Sequence, residues 1–166
     1  IEVHYRNHVI RSGGHGFSGL GRQRLLHLLQ KRALELGVKL HFEHESQNLD
    51  QFKDADLIVA CDGINSWIRD EHAEHFQPDI DVRTNRFVWL GTNKVFEAFT
   101  FIFEPTEHGW IWAHAYRFDK DTSTFIIECT EETLKGLGFD QMSQEESITV
   151  CEKIFSKYLE GHRLMS

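Results

Sequence analysis

The sequence predicts a chain of the α/β (α+β) class, and three observations carry that expectation. Strand-like alternation brackets an amphipathic helix over residues 1–42. A continuous apolar run bounded by acids, DLIVACDG at residues 56–63, reads as a strand buried on both faces, most often a parallel one. Past Pro78 the composition turns to aromatic and β-branched segments separated by short polar connections, as in an antiparallel sheet.

Each element follows from local pattern. Ile1 to Ile10 alternates and reads as extended chain. Leu25, Leu29, Ala33 and Leu36 recur at i, i+4, i+8 and i+11, which predicts a helix over about 21–36 whose apolar stripe packs on a neighbour; Gly37 suits the left-handed position that ends it. Val38 to Phe42 alternates strictly as a half-buried strand does. Glu43 to Asp54 is a polar loop with a short turn around Gln51. After residues 56–63, Asn65 or Ser66 can N-cap a short helix from Trp67 to His75. Strands are then expected at Phe87–Gly91, Ala98–Glu104, Gly109–Phe118 and Thr122–Cys129, the last two joined as a hairpin through FDKDTS. Helices close the chain, with Ile148, Cys151, Ile154, Phe155 and Tyr158 on the inner face of the last. The change of character at Pro78 divides the chain into residues 1–78 and 79–166.

The chain opens on Ile1 directly in a strand-like pattern, and we read it as part of a longer protein. A hydrophobic content of 40% is enough to bury a core, while no apolar run approaches the roughly 20 residues of a membrane span. The net charge of -8, with Lys and Arg scattered among acids, speaks against a nucleic-acid surface. Cys61, Cys129 and Cys151 are odd in number and far apart, which fits free thiols in a reducing cytoplasm. The pairs His41/His44 and His72/His75 lack further ligands at familiar spacing, so no metal site is expected.

The stretch GGHGFSGLGR contains G-x-G-x-x-G at Gly14, Gly16 and Gly19, between strand and helix, as a dinucleotide-binding fingerprint requires. Two features weaken that reading. His4, Arg6 and His8 alternate through the preceding segment, where such a unit has a uniformly apolar strand, and the helical stripe begins only at Leu25. A flexible strand-to-helix connection is the expected role, with a nicotinamide-dependent reductase as the competing one.

The second corner is more informative. DGINSWIR fits D-G-x-x-S-x-x-R at the end of the apolar run, and with GLGRQRLLHLLQKRALELGVKLHF upstream it resembles the middle portion of the class A, p-hydroxybenzoate hydroxylase-like flavoprotein monooxygenases. The segments NRFVWLGTNKVFEAFTFIF and GWIWAHAYRFDKDTSTFIIECT look closest to the aryl-CoA hydroxylase branch, with the tryptophan-derived violacein-pathway hydroxylases nearby. The resemblance implies part of a flavin-binding α/β domain in residues 1–78, followed by an antiparallel substrate-domain sheet with a C-terminal helix in residues 79–166. It implies FAD and NAD(P)H as cofactors and a small aromatic substrate, either a CoA thioester or an indole-derived compound. Carried onto this chain, it places Arg22 at the start of the flavin-side helix and Asp62 and Gly63 at the strand end that contacts cofactor; Arg69 would pair with Asp62 or a phosphate.

Trp110, Trp112, His114 and Tyr116 share one face of a strand, and Ile111, Ala113 and Ala115 the other. The first set either lines an aromatic substrate pocket, through Trp110, Trp112 and His114, or packs beneath the last helix. No catalytic base can be named. The rival to a hydroxylase is a non-catalytic ligand- or protein-binding module that uses the sheet as a docking face.

Overall fold

The structure is a computed structural model describing residues 1–166. Mixed α/β architecture is borne out, with seven strands in one sheet and several helices. The chain divides into two compact units, one of Ile1–Leu29 with Thr84–Ser166, the other of Gln30–Arg83. Packing therefore cuts the chain at places other than Pro78. No helix is long and apolar enough to cross a membrane.

The first unit is built on strands β1 (Glu2–Tyr5), β2 (His8–Arg11), β3 (Arg86–Thr92), β4 (Thr100–Thr106), β5 (Gly109–Arg117), β6 (Ser123–Cys129) and β7 (Leu164–Met165), in the order β2-β1-β4-β5-β6-β3-β7. The opening ten residues are not one strand but a hairpin. Arg6 and Asn7 turn it with φ of 47° and 64°, the left-handed pair that a two-residue turn needs to match strand twist. β1 then runs parallel to β4, while every other pairing in the sheet is antiparallel. The four aromatic strands fall within a residue or two of their expected places, and β5 and β6 form the expected hairpin. Strand β7 is too short for any periodicity to announce it, yet it buries Leu164 beside β3.

Alternation sorts the sheet into two faces. One carries Leu90, Ile102, Ile111, Ala113, Ala115, Phe125, Ile127 and Cys129, all buried, and lies under the closing helices α4 (Glu131–Gly136), α5 (Gln144–Ile154) and α6 (Ser156–Leu159). Phe125 and Phe155 are both 0% exposed and meet edge to face with centroids 5.5 Å apart. Helix α5 starts cleanly because Ser143 and Glu146 form a reciprocal capping box. Cys151 and Cys129 belong to this core, and burial pushes the Cys151 thiol up to about 12 and raises that of Cys129 as well. Both are therefore inert thiols at neutral pH.

Helix α1 (Arg22–Glu35) begins in this unit and ends in the other. Gly37, at φ 78°, closes it in a Schellman motif: Val38 N–H donates to the Ala33 carbonyl and Gly37 N–H to that of Leu34. Its apolar stripe is exposed, with Leu25, Leu29 and Leu36 at 45%, 58% and 63%.

In the second unit, the strands expected at residues 38–42 and 56–63 do not form. A strand exists only through a ladder with a neighbour, and neither segment pairs with another. Leu57 and Val59 are accordingly 78% and 72% exposed rather than buried. A single 3-10 turn at Asp50–Phe52 matches the expected turn around Gln51. The helix expected at Trp67–His75 is two short ones, α2 (Trp67–Glu71) and α3 (Ala73–Phe76), interrupted at His72.

Candidate functional site

Two groups of residues are candidates for function, one in each unit. In the second unit the corner after the apolar run is a compact knot around Ser66, which is 7% exposed. Its hydroxyl donates to Asp62 Oδ1 at 2.8 Å and accepts the Arg69 backbone N–H at 3.1 Å, capping α2. Arg69 does not pair with Asp62. Its guanidinium is folded back, with Nη1 donating to the Ile64 carbonyl at 2.7 Å and Nε to Asp70 at 2.9 Å. The reason is local: the first turn of so short a helix puts a carboxylate next in sequence and a loop carbonyl five residues back within the side chain's reach. Asp62 is left exposed, and Oδ2 takes no hydrogen bond within the chain. Gly63 has φ 86°, and nothing lies within 4 Å of where a Cβ would stand, so its backbone is open to an incoming group. Asp62, Gly63 and Arg69 are thus brought together by Ser66, a residue that sequence reasoning offered only as one of two helix caps.

Arg22 belongs to the first unit. It is exposed as the first residue of α1, and its guanidinium has no partner in the chain. The first turn of that helix contains no acid, so its positive end is uncompensated.

The other group is the second face of the sheet, opposite the helices. Strand register lines up cross-strand rows: Phe87, Glu128, Trp112, Phe103, Tyr5 and His8 in one, Trp89, Ile126, His114, Phe101, Val3 and Ile10 in the next. Trp110, Trp112 and His114 are here, half-buried, while Ile111, Ala113 and Ala115 take the positions under the last helices. The aromatic stripe is therefore not packed beneath those helices. Its rings contact their neighbours in the sheet: Phe101 and His114 at 5.1 Å, Phe103 and Trp112 at 6.5 Å, Tyr5 stacked on Trp110 at 5.3 Å. Phe17, from the glycine-rich loop, stacks on Phe99 at 4.6 Å. Arg6 lies over both Tyr5 and Trp110, 5.3 and 5.7 Å from their centroids, as a cation on aromatic faces does.

One charged group sits inside this surface. Glu128 accepts the Trp112 indole N–H at 3.1 Å on Oε2 and the Asn85 amide at 2.9 Å on Oε1. Sequence reasoning missed Glu128, Asn85, Phe101 and Phe103. The two phenylalanines were legible, since Phe99, Phe101 and Phe103 alternate in step with β5. Glu128 had a subtler signal, an acid inside the otherwise apolar run Phe125–Cys129 of β6.

No family model matches the chain. Among curated proteins, the chain is similar to a salicyloyl-CoA 5-hydroxylase from Streptomyces sp, 35% identical over 173 aligned residues that cover 99% of this chain and 34% of the relative. It is 31% identical to a protodeoxyviolaceinate monooxygenase from Chromobacterium violaceum, over 99% of this chain and 44% of that protein. It is also 31% identical to a 3-hydroxy-4-methyl-anthranilyl-(aryl-carrier protein) 5-monooxygenase from Streptosporangium sibiricum, over 77% of this chain and 36% of that protein. The chain spans between a third and a half of the length of these relatives.

Proposed function

Since the chain belongs to the monooxygenase family of these relatives, we propose that it forms part of an FAD-dependent, NAD(P)H-using aromatic-ring hydroxylase, with an aryl-CoA or related aromatic compound as substrate. The observation that carries this reading is the half-buried aromatic face of the sheet, set opposite the packed core. A continuous field of rings offers a flat substrate edge and face contacts at low conformational cost. The similarity to the salicyloyl-CoA hydroxylase supports the aromatic acyl thioester in particular.

In this reading residues 1–78 serve the cofactor and 79–166 the substrate, although the first 29 residues pack with the sheet. Within each unit, taken by itself, residues suit part of a flavin dinucleotide. Arg22 offers an unengaged guanidinium at an uncompensated helix N-terminus, suited to a diphosphate. Gly63 leaves room for close approach, and Asp62 keeps a free carboxylate oxygen for a hydroxyl or amide donor. Arg69, occupied by Ile64 and Asp70, stiffens that corner and does not reach outward.

Bound FAD, once reduced by NAD(P)H, supplies the oxygen-activating chemistry. The chain's own residues bind and orient: Trp110, Trp112 and His114 hold an aromatic ring in place and exclude water from it, while Arg22 in one unit and Asp62 with Gly63 in the other each offer groups to the cofactor. A cytoplasmic setting accords with Cys61, Cys129 and Cys151 all being free thiols. The test is NAD(P)H oxidation by the full-length, FAD-loaded protein offered free aromatic acids, aryl-CoA thioesters and indole compounds in turn. Stimulation by aryl-CoA thioesters supports the proposal; a full-length protein that takes up no FAD refutes it.

A further inference from the structure

We infer that Glu128 is a specificity-determining residue of the aromatic face, a fixed negative charge that turns away aromatic carboxylates and admits their neutral acyl derivatives. The inference rests on the reading of that face as the substrate surface.

Glu128 lies in a cross-strand row between Phe87 and Trp112, so a ring laid on this part of the sheet meets its charge at close range. It is the only acidic residue among the positions that β1 to β7 present on this face; Glu2 and Glu104 fall on the opposite one, where Glu104 accepts from Tyr158 on α6. Both carboxylate oxygens are engaged, by Trp112 and Asn85, so the group cannot swing aside without losing a bond. A half-buried charge held this way is screened less than a surface one. The cation of the face, Arg6, lies over the rings of Tyr5 and Trp110. Arg6 makes no ion pair with Glu128, whose two hydrogen bonds go to Trp112 and Asn85.

A purely structural role would be to satisfy the Trp112 N–H. Glutamine would serve that role equally, through its amide oxygen, with the Asn85 amide reversed to accept from the Gln nitrogen. Charge and hydrogen bonding are therefore separable by one isosteric change.

The probes are salicylate and salicylamide, matched in shape and different in charge, titrated calorimetrically into full-length, FAD-loaded protein. Glu128→Gln is expected to shift the ratio of the two dissociation constants roughly tenfold in favour of salicylate, the scale of removing one like charge at short range. Glu128→Asp, which keeps the charge, is expected to keep a ratio near that of the parent protein and serves if the Gln variant folds poorly. A ratio unmoved by Glu128→Gln, or moved equally by Glu128→Asp, overturns the inference. Trp112→Ala separates the two levels: if it weakens salicylamide binding while Glu128→Gln leaves the ratio alone, only the charge inference falls. If neither probe binds the parent protein, or Trp112→Ala leaves binding intact, the substrate reading of the face falls with it.

Discussion

Gly19 stands against the backbone of Arg117: a Cβ on Gly19 would lie 2.1 Å from the Arg117 carbonyl oxygen. Gly16, three residues earlier, has nothing within 4 Å of its Cβ position and an ordinary backbone. The last glycine of the apparent fingerprint is thus needed where the loop crosses the end of β5, and the middle one answers to no steric demand. Gly19→Ala should destabilise the protein by about 1–3 kcal/mol, the cost of forced overpacking, and Gly16→Ala by less than about 0.5 kcal/mol. Urea denaturation midpoints of the two variants decide it; equal midpoints would remove Gly19's packing role.

On the proposed function, Arg22 is the position of the same segment that the cofactor should sense. On the proposed function, Arg22→Ala in the full-length protein removes a charge-assisted contact of about 1.5–3 kcal/mol, a ten- to hundredfold loss of FAD affinity. Titrating apoprotein with FAD measures it. Greater damage from Gly16→Ala, with circular dichroism unchanged, would instead make the glycine run a dinucleotide site.

Ser66 and Asp62 divide structure from binding at the second corner. Ser66→Ala should cost about 1 kcal/mol by removing the cap of α2, and should loosen Asp62 as well. Asp62→Ala should leave the fold largely intact yet weaken flavin retention or slow flavin reduction. Flavin content and stopped-flow reduction by NAD(P)H that both match the parent protein would take Asp62 out of the site.

The buried core sets a larger scale. Phe155 is 0% exposed against Phe125, and Phe155→Ala should cost about 3–5 kcal/mol. Trp89, 62% exposed on the aromatic face, should tolerate alanine within about 1 kcal/mol. Paired thermal unfolding of the two variants tests the assignment of faces directly, because exchanging the two faces would invert the order.

Acid stability has a contribution from Glu2. Burial alone would raise its carboxyl, but hydrogen bonds from Arg11 and His4, each 2.6 Å, outweigh burial and hold it below the ordinary 4.5. A carboxylate depressed in the folded state stabilises above its unfolded value and loses that contribution as pH falls through the folded one. Glu2→Gln should therefore lower stability at neutral pH and flatten its decline below about pH 4.5. Unfolding free energies from pH 7 to 3 for both proteins check the slope.

The second half of the fold was legible because its strands carry their own signal: aromatic and β-branched residues alternate, and β4, β5 and β6 find their partners next in sequence. The corner at Asp62, Gly63 and Ser66 was legible for a similar reason, since a cap and a left-handed glycine are local facts. Residues 38–42 and 56–63 show the opposite case. Their composition suits a strand, but a strand depends on a neighbour to pair with, and no pattern within the segment reveals whether one is there. The turn at Arg6-Asn7 was hidden because Arg6 is not a residue type that announces a left-handed conformation. A pairing of Arg69 with Asp62 was not to be excluded from sequence, because its actual partners, Ile64 and Asp70, depend on where α2 begins and how its side chain folds back.

Trp89, Trp110 and Trp112 account for three of the four tryptophans in this chain, and all three stand on the aromatic face of the sheet. The indole emission of these 166 residues is therefore concentrated on one surface. A compound settling there alters most of the fluorescence at once, whereas Trp67, in the other unit, supplies an internal reference. Occupancy of this face can be followed optically in the unlabelled protein, and single Trp→Phe replacements at residues 110 and 112 would show which part of the surface a given compound covers.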